Sequence, residues 1–235
     1  FPIGATLAPG AFFALARKAS TFNSRYGFMP DDVFASGGLN NGGERLTLAH
    51  NAGGTVWSVT YNDTTPWPAA ADGNGFTAVP RATTYNSDDG RDWRASAAIH
   101  GSPGADDPAV NIPAIVVTEI LTNSTLPLYD TIELHNPTAA TASLADWWLT
   151  DDPNTPKKYR IPGGTTIPAG GYAVFDETHF NPTPGVTPSF ALSAAGDDVY
   201  LFSGDAAGNL TGYSHGFDFA DRKSTRLNSS HGKLS

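Results

Sequence analysis

The stretch TIELH, from Thr131 to His135, alternates apolar and polar side chains. Ile132 and Leu134 fall on one face of an extended chain, and Glu133 and His135 fall on the other. A period of two residues is typical of a β-strand that buries one face and exposes the other. The same alternation occurs in RLTL at residues 45–48 and in DVYL at residues 198–201.

The rest of the chain follows this strand pattern. IPAIVVTEI, residues 112–120, indicates a longer and more apolar strand, and clusters of glycine and proline separate the runs. Only ARKASTFNSRY, residues 16–26, has a helical pattern, two to three turns at most. Because a half-apolar sheet without helices must be covered by a second sheet, we predict an all-β sandwich.

Composition excludes several classes of protein. The chain has 235 residues, of which 40% are hydrophobic and 16% charged, so it can bury a core. A net charge of −9 argues against a basic nucleic-acid-binding face. The absence of cysteine excludes disulfides, thiolate metal sites and a cysteine nucleophile. No apolar run approaches the roughly 18 residues of a membrane-spanning helix.

Two blocks of sequence occur twice, in the same order and at nearly the same spacing. PIGATLAPGAFFAL, residues 2–15, aligns without a gap on PGGTTIPAGGYAVF, residues 162–175. LNNGGERLTL, residues 39–48, aligns on LSAAGDDVYL, residues 192–201. We therefore predict two tandem modules with the same fold.

Both modules are expected to be incomplete. Residues 1–105 would hold the C-terminal part of a first module and a trailing segment, and residues 106–111 a linker. Residues 112–220 would hold a second module, truncated at its end. The first module would then lack its opening strands and leave sheet edges unpaired. DRKSTRLNSSHGKLS, residues 221–235, has no alternation and resembles a translated sequencing adapter, so it is excluded from the fold prediction.

The second copy resembles a known family. The motifs are EI at 119–120, IELHNP at 132–137, LADWWLTD at 144–151 and IPAGG at 167–171, followed by the G-D-x-V-x-L block. Together they resemble the lamin tail domain, the immunoglobulin-like β-sandwich of nuclear lamins and of many bacterial extracellular proteins. Asp146 departs from the family, which usually has glycine before the tryptophan; aspartate tolerates left-handed backbone geometry better than most residues.

The alternation and the resemblance also give candidate core and surface residues. Trp147 is expected to fill the sandwich core, as large aromatic side chains do. Trp148 would then point away from the core, which makes it the candidate exposed aromatic for stacking on a sugar. The predicted core set is Trp147, Ile132, Leu134, Leu149, Val199, Leu201, Leu46 and Leu48.

We predict no catalytic site. GYSHG, residues 212–216, matches the G-x-S-x-G nucleophile elbow, but no helix follows it, and adjacent strand residues point to opposite faces. Ser214 and His215 could not share a proton there. Glu119 and Glu133 could form a general-acid pair, but outward-facing strand residues fit the pattern better.

No resident cofactor is predicted either. Paired aspartates occur at 88–89, 106–107, 151–152 and 197–198, and their oxygens would suit calcium. None has the spacing of an EF-hand loop, so solvated acidic loops are expected, with calcium binding as the alternative.

The resemblance implies a non-catalytic adhesion or spacer module of a large secreted or cell-surface bacterial protein. One alternative is an accessory module beside an extracellular enzyme, such as a nuclease or a spore-coat-type kinase. Another is a module that itself binds calcium or a glycan. Extracellular polysaccharide or protein is the expected partner, with neither nucleic acid nor a membrane span.

Overall fold

The regular secondary structure of the described residues is mostly short β-strands with little helix, which confirms the predicted all-β class. The computed structural model describes residues 1, 4–34, 36–122 and 124–220, so the adapter-like residues 221–235 lie outside the described residues. Two α-helices, Ala19–Tyr26 (α1) and Glu177–Phe180 (α2), and two 3₁₀ turns, Ala69–Ala71 and Gly90–Asp92, interrupt the strands. The strands are Leu15–Ala16 (β1), Asp32–Val33 (β2), Gly43–Ala49 (β3), Thr55–Asn62 (β4), Ala78–Pro80 (β5), Trp93–Ala95 (β6), Val116–Leu121 (β7), Thr131–His135 (β8), Ala142–Ser143 (β9), Trp148–Thr150 (β10), Tyr159–Arg160 (β11), Thr166–Ile167 (β12), Tyr172–Asp176 (β13), Gly196–Gly204 (β14) and Leu210–Ala220 (β15).

Residues 112–220 form a β-sandwich. One sheet has the strand order β13-β8-β7 and the other has the order β11-β10-β14-β15. The apolar faces of both sheets meet in one buried cluster, which includes Ile132 and Leu134 of β8 and Val199 and Leu201 of β14, all 0% exposed. Burial of these faces is the dominant stabilising contribution to such a fold.

The N-terminal residues form smaller elements. β1 and β2 pair in parallel, and β3 and β4 form an antiparallel hairpin. α1 lies inside the segment with the helical pattern and ends at Tyr26, after which Gly27 adopts φ +77° and its N–H donates to the Asn23 carbonyl. A left-handed glycine at this position is a common helix stop.

The trailing segment, residues 61–104, packs on the sandwich of residues 112–220. Ala69, Ala70, Phe76 and Ala95 form a buried cluster with side chains from the outer face of the β10-β14-β15 sheet, Tyr200 and Phe202. The segment therefore adds a third layer outside the sandwich. In the described ranges no helix is long and apolar enough to cross a membrane.

Candidate functional site

The hairpin β3–β4 repeats the geometry of the hairpin β14–β15. Gly43 opens β3 with φ +105°, and Gly196 opens β14 with φ +121°. In both turns, the carboxylate that follows the glycine accepts a backbone hydrogen bond at 2.9 Å, to Glu44 from Asn40 and to Asp197 from Ser193. The aligned sequences thus fold into the same local structure.

The earlier aligned blocks also share their turns. Glycines with positive φ occur at the same aligned positions, and each block has one turn hydrogen bond at the same place. The glycine pairs are Gly4 with Gly164 and Gly10 with Gly170. The hydrogen bonds run from Ala11 N to the Ala8 carbonyl at 3.0 Å and from Gly171 N to the Pro168 carbonyl at 2.9 Å.

The two hairpins differ in how far their apolar faces are covered. Trp147 is 5% exposed, and the other core candidates of the second copy, Ile132, Leu134, Leu149, Val199 and Leu201, are 0% exposed. Leu46 and Leu48 of the first copy were also predicted to be core residues, but Leu46 is only half-buried and Leu48 is 39% exposed. The face of β3–β4 that carries them is only partly covered, since Val59, the register partner of Leu46, is 4% exposed, whereas Trp57, opposite Leu48, is 38% exposed.

A groove runs along this partly covered face. It has a volume of about 480 Å³ and lies between the hairpin and the trailing segment. Its main apolar walls are Leu46, Trp57 and Val59 on the hairpin and Trp67 and Trp93 on the trailing segment. The rings of Trp67 and Trp93 lie 5.5 Å apart. Asparagine and aspartate side chains also line it, and no lysine or arginine contributes to the described lining, so the groove disfavours an anionic occupant.

Trp148 does not form the exposed platform expected from the sequence. It points away from the sandwich core, as predicted, but packs half-buried against the cluster around Tyr200 and Phe202. The Arg160 guanidinium lies 5.7 Å from the centre of its ring. The trailing segment covers this sheet face, and for that reason Trp148 is not available for stacking on a sugar.

The G-x-S-x-G stretch lies within β15, and its serine and histidine point to opposite faces. The Ser214 hydroxyl accepts a hydrogen bond from Ala70 N on the outer face. His215 Nδ1 accepts one from Val117 N on the inner side, at 3.1 Å. Burial lowers the pKa of His215 below its ordinary value of 6.5. The arrangement gives no nucleophile–base pair.

Glu119 and Glu133 are register partners on β7 and β8. Glu119 is exposed, and Glu133 accepts a hydrogen bond from the Thr118 hydroxyl at 2.8 Å. Both side chains lie outside the core, which matches the outward-facing alternative.

The paired aspartates occupy different environments. Asp198 and Asp218 are register partners, and burial together with the carboxylates of Asp218 and Asp197 raises the pKa of Asp198. Across the described part of the chain, no group of three or more histidines, aspartates or glutamates could hold a metal ion.

The sequence predicts a solvated acidic loop at Asp107, but the structure places its side chain in a buried environment. Its carboxylate pairs with Arg94 at 2.6 Å and accepts hydrogen bonds from Ala97 N and Ser102 Oγ. Only 7% of its side chain is exposed. The predicted linker is therefore held against the trailing segment by a buried ion pair.

Asn136 is a structural residue that the sequence patterns did not single out. It is 0% exposed, and its side-chain amide donates to the carbonyls of Ala140, Ile167 and Pro168. Its side-chain oxygen accepts from the backbone N–H and the hydroxyl of Thr138. The only sequence feature that could have pointed to Asn136 is its position in the IELHNP motif, residues 132–137.

One comparison with known proteins gave a match. The family model described as Lamin Tail Domain matches residues 108–218. No curated protein and no solved structure matched the chain.

Proposed function

We propose that the chain is a non-catalytic spacer or adhesion part of a large secreted or cell-surface protein, because residues 108–218 match the family model described as Lamin Tail Domain, an immunoglobulin-like fold. In this proposal tandem sandwiches hold other parts of the protein at a fixed separation, or present a surface to extracellular polysaccharide or protein. The function needs no cofactor.

The observation that carries the proposal is the packing of the trailing segment between the two copies. One side of the segment buries Ala70 and Phe76 against the outer sheet of the second sandwich. Its other side carries Trp67 and Trp93, which face the hairpin of the first copy across the groove. A flexible linker would leave such side chains in water, whereas a spacer requires them to be packed.

The buried ion pair supports the same conclusion. Besides meeting Asp107, Arg94 donates to the carbonyls of Ala95, Asp107 and Pro108. These contacts fix the chain as it enters the second sandwich. Bending that separates Arg94 from Asp107 would leave a largely buried charge without its partner, so this connection between the trailing segment and the sandwich is expected to be stiff.

The variant Phe76→Asp tests this proposal. A carboxylate in the cluster with Tyr200 and Phe202 would be desolvated without a partner, so the segment should detach while the sandwich stays folded. We expect a larger radius of gyration in small-angle X-ray scattering and new protease cuts in residues 64–105. Val186→Asp, at an exposed loop position, is the matched control and should change neither. An unchanged radius of gyration in Phe76→Asp would contradict the spacer function.

A further inference from the structure

One sheet of the sandwich of residues 112–220 has an open edge. β13 is the terminal strand of the β13-β8-β7 sheet, and among the described residues only β8 pairs with it. All five residues of β13 pair with β8 in one continuous register. Tyr172 and Val174, on the outer face of β13, are 58% and 55% exposed. A regular strand with an exposed edge is a template for pairing with another strand.

The hydrogen bonds on either side of β13 show which of its backbone groups face outward. Glu177 N donates to the Asp130 carbonyl, and Asn136 N donates to the Gly171 carbonyl. Because hydrogen-bonded pairs alternate along antiparallel strands, residues 173 and 175 bond to β8, and the N–H groups of residues 172, 174 and 176 face the open edge. Within the described ranges, these three N–H groups have no backbone partner.

The other edge of the same sheet is covered. The Tyr213 hydroxyl donates to the Ile115 carbonyl just before β7, and Val117 N donates to His215 Nδ1. The register of β7 against β8 also shifts between Val117 and Glu119. Irregular pairing and covering contacts are ways in which proteins prevent strand addition. β13 pairs regularly and contains no lysine, arginine or proline, so its edge stays open to a partner.

We propose that β13 is a dimerisation edge, which pairs antiparallel with β13 of a second molecule of this protein. The strand is its own complement when Val174 lies opposite Val174 of the second molecule, because Tyr172 then lies opposite Asp176 at both ends. In this register the outward N–H groups of each strand face the carbonyls of the other. The two three-stranded sheets become one continuous sheet around a two-fold axis.

Charge and order at the edge favour this partner. The two Asp176 carboxylates lie at opposite ends of the strand pair, so no like charges face each other. The Tyr172 ring already stacks on His135 at a centroid distance of 4.4 Å, and the Asp176 carboxylate accepts a hydrogen bond from Thr178 N. Pairing therefore orders few additional side chains, which lowers the entropy cost of association.

Sedimentation velocity of the full chain over a range of concentrations tests the proposal. We expect a reversible monomer–dimer equilibrium with a Kd of about 100 µM or lower, weak because two short strands bury less surface than a standard interface. Val174→Pro removes an outward N–H without removing a bond to β8, and proline is tolerated at such edge positions. It should raise the Kd by about tenfold or more, because the symmetric pair loses two hydrogen bonds.

A pair of opposite charges at Tyr172 tests the register. Tyr172→Asp would place a carboxylate opposite Asp176 at both ends, whereas Tyr172→Lys would place an ammonium group there. We expect the lysine variant to dimerise about tenfold or more tightly than the aspartate variant. Val186→Lys and Val186→Asp make the same charge changes at a loop position that is 54% exposed, and they should dimerise like the unchanged chain.

Three results would overturn the proposal. The first is a chain that stays monomeric at about 300 µM, a concentration well above the Kd expected for a weak interface. The second is a dimer that Val174→Pro leaves unchanged, which would assign association to another surface. The third is a difference between the two Tyr172 variants no larger than that between the two Val186 variants. Urea midpoints in dilute solution, where the chain is monomeric, check that each variant is folded.

Discussion

At the scale of single residues, Asp146 and Asn136 show how a residue of a sequence motif can stabilise a turn or the interior. Asp146 adopts φ +69°, the left-handed conformation that glycine usually provides, and its carboxylate pairs with Arg160 at 2.7 Å. Aspartate at this position therefore keeps a turn that glycine could also form and adds an ion pair. Asn136 instead donates to three carbonyl groups in the interior, two of which, those of Ala140 and Pro168, also accept from other donors.

We expect Asn136→Ala to destabilise the sandwich of residues 112–220 by about 3 kcal/mol, because a fully buried side chain loses all its hydrogen bonds at once. Chemical denaturation followed by tryptophan fluorescence measures the change. Asn154→Ala, on an exposed loop, should cost less than about 0.5 kcal/mol and is the control. Equal effects of the two variants would show that Asn136 does not organise the interior.

At the scale of elements, the contacts between strands explain why β15 belongs to the sandwich. Two side chains of β15 connect it to the start of the opposite sheet. The Tyr213 hydroxyl donates to the Ile115 carbonyl at 2.8 Å, and His215 Nδ1 accepts from Val117 N. Adjacent residues of β15 point to opposite faces, so His215 and Ser214 are separated. His215 therefore connects the two sheets, at a position where the G-x-S-x-G motif resembles a nucleophile elbow.

The connection through His215 makes stability depend on pH. Burial lowers the pKa of His215 in the folded protein below 6.5, so the unfolded chain takes up the proton first as pH falls. The contribution is fully present above pH 6.5 and is lost as pH falls from there through the lowered folded pKa. His215→Gln should remove this step from urea midpoints measured between about pH 8 and about pH 5. Parallel curves for the two proteins would contradict the prediction.

At the scale of the whole molecule, the two copies should differ in resistance to unfolding. The second copy encloses a continuous core, whereas one face of the first copy's hairpin is only partly covered and leaves Leu48 and Trp57 more than a third exposed. We expect limited proteolysis to cut first within residues 1–61 while residues 112–219 stay intact, because local opening is easiest where few apolar side chains are buried. Equal resistance of both regions would show that the module boundaries are misplaced. Mass spectrometry of the early fragments measures the order of cutting.

The sequence by itself determined the strands and their turns. The alternation in TIELH specifies which side of β8 is apolar, and Gly43 and Gly196 specify the turns that open β3 and β14, because these properties depend only on neighbouring residues.

Only the tertiary structure decided which faces are covered. Trp148 is shielded by the trailing segment, which is distant in the chain, whereas Leu48 is 39% exposed, although the local pattern treats it like Leu201. Burial depends on what packs against a face, and a local period contains no information about that partner.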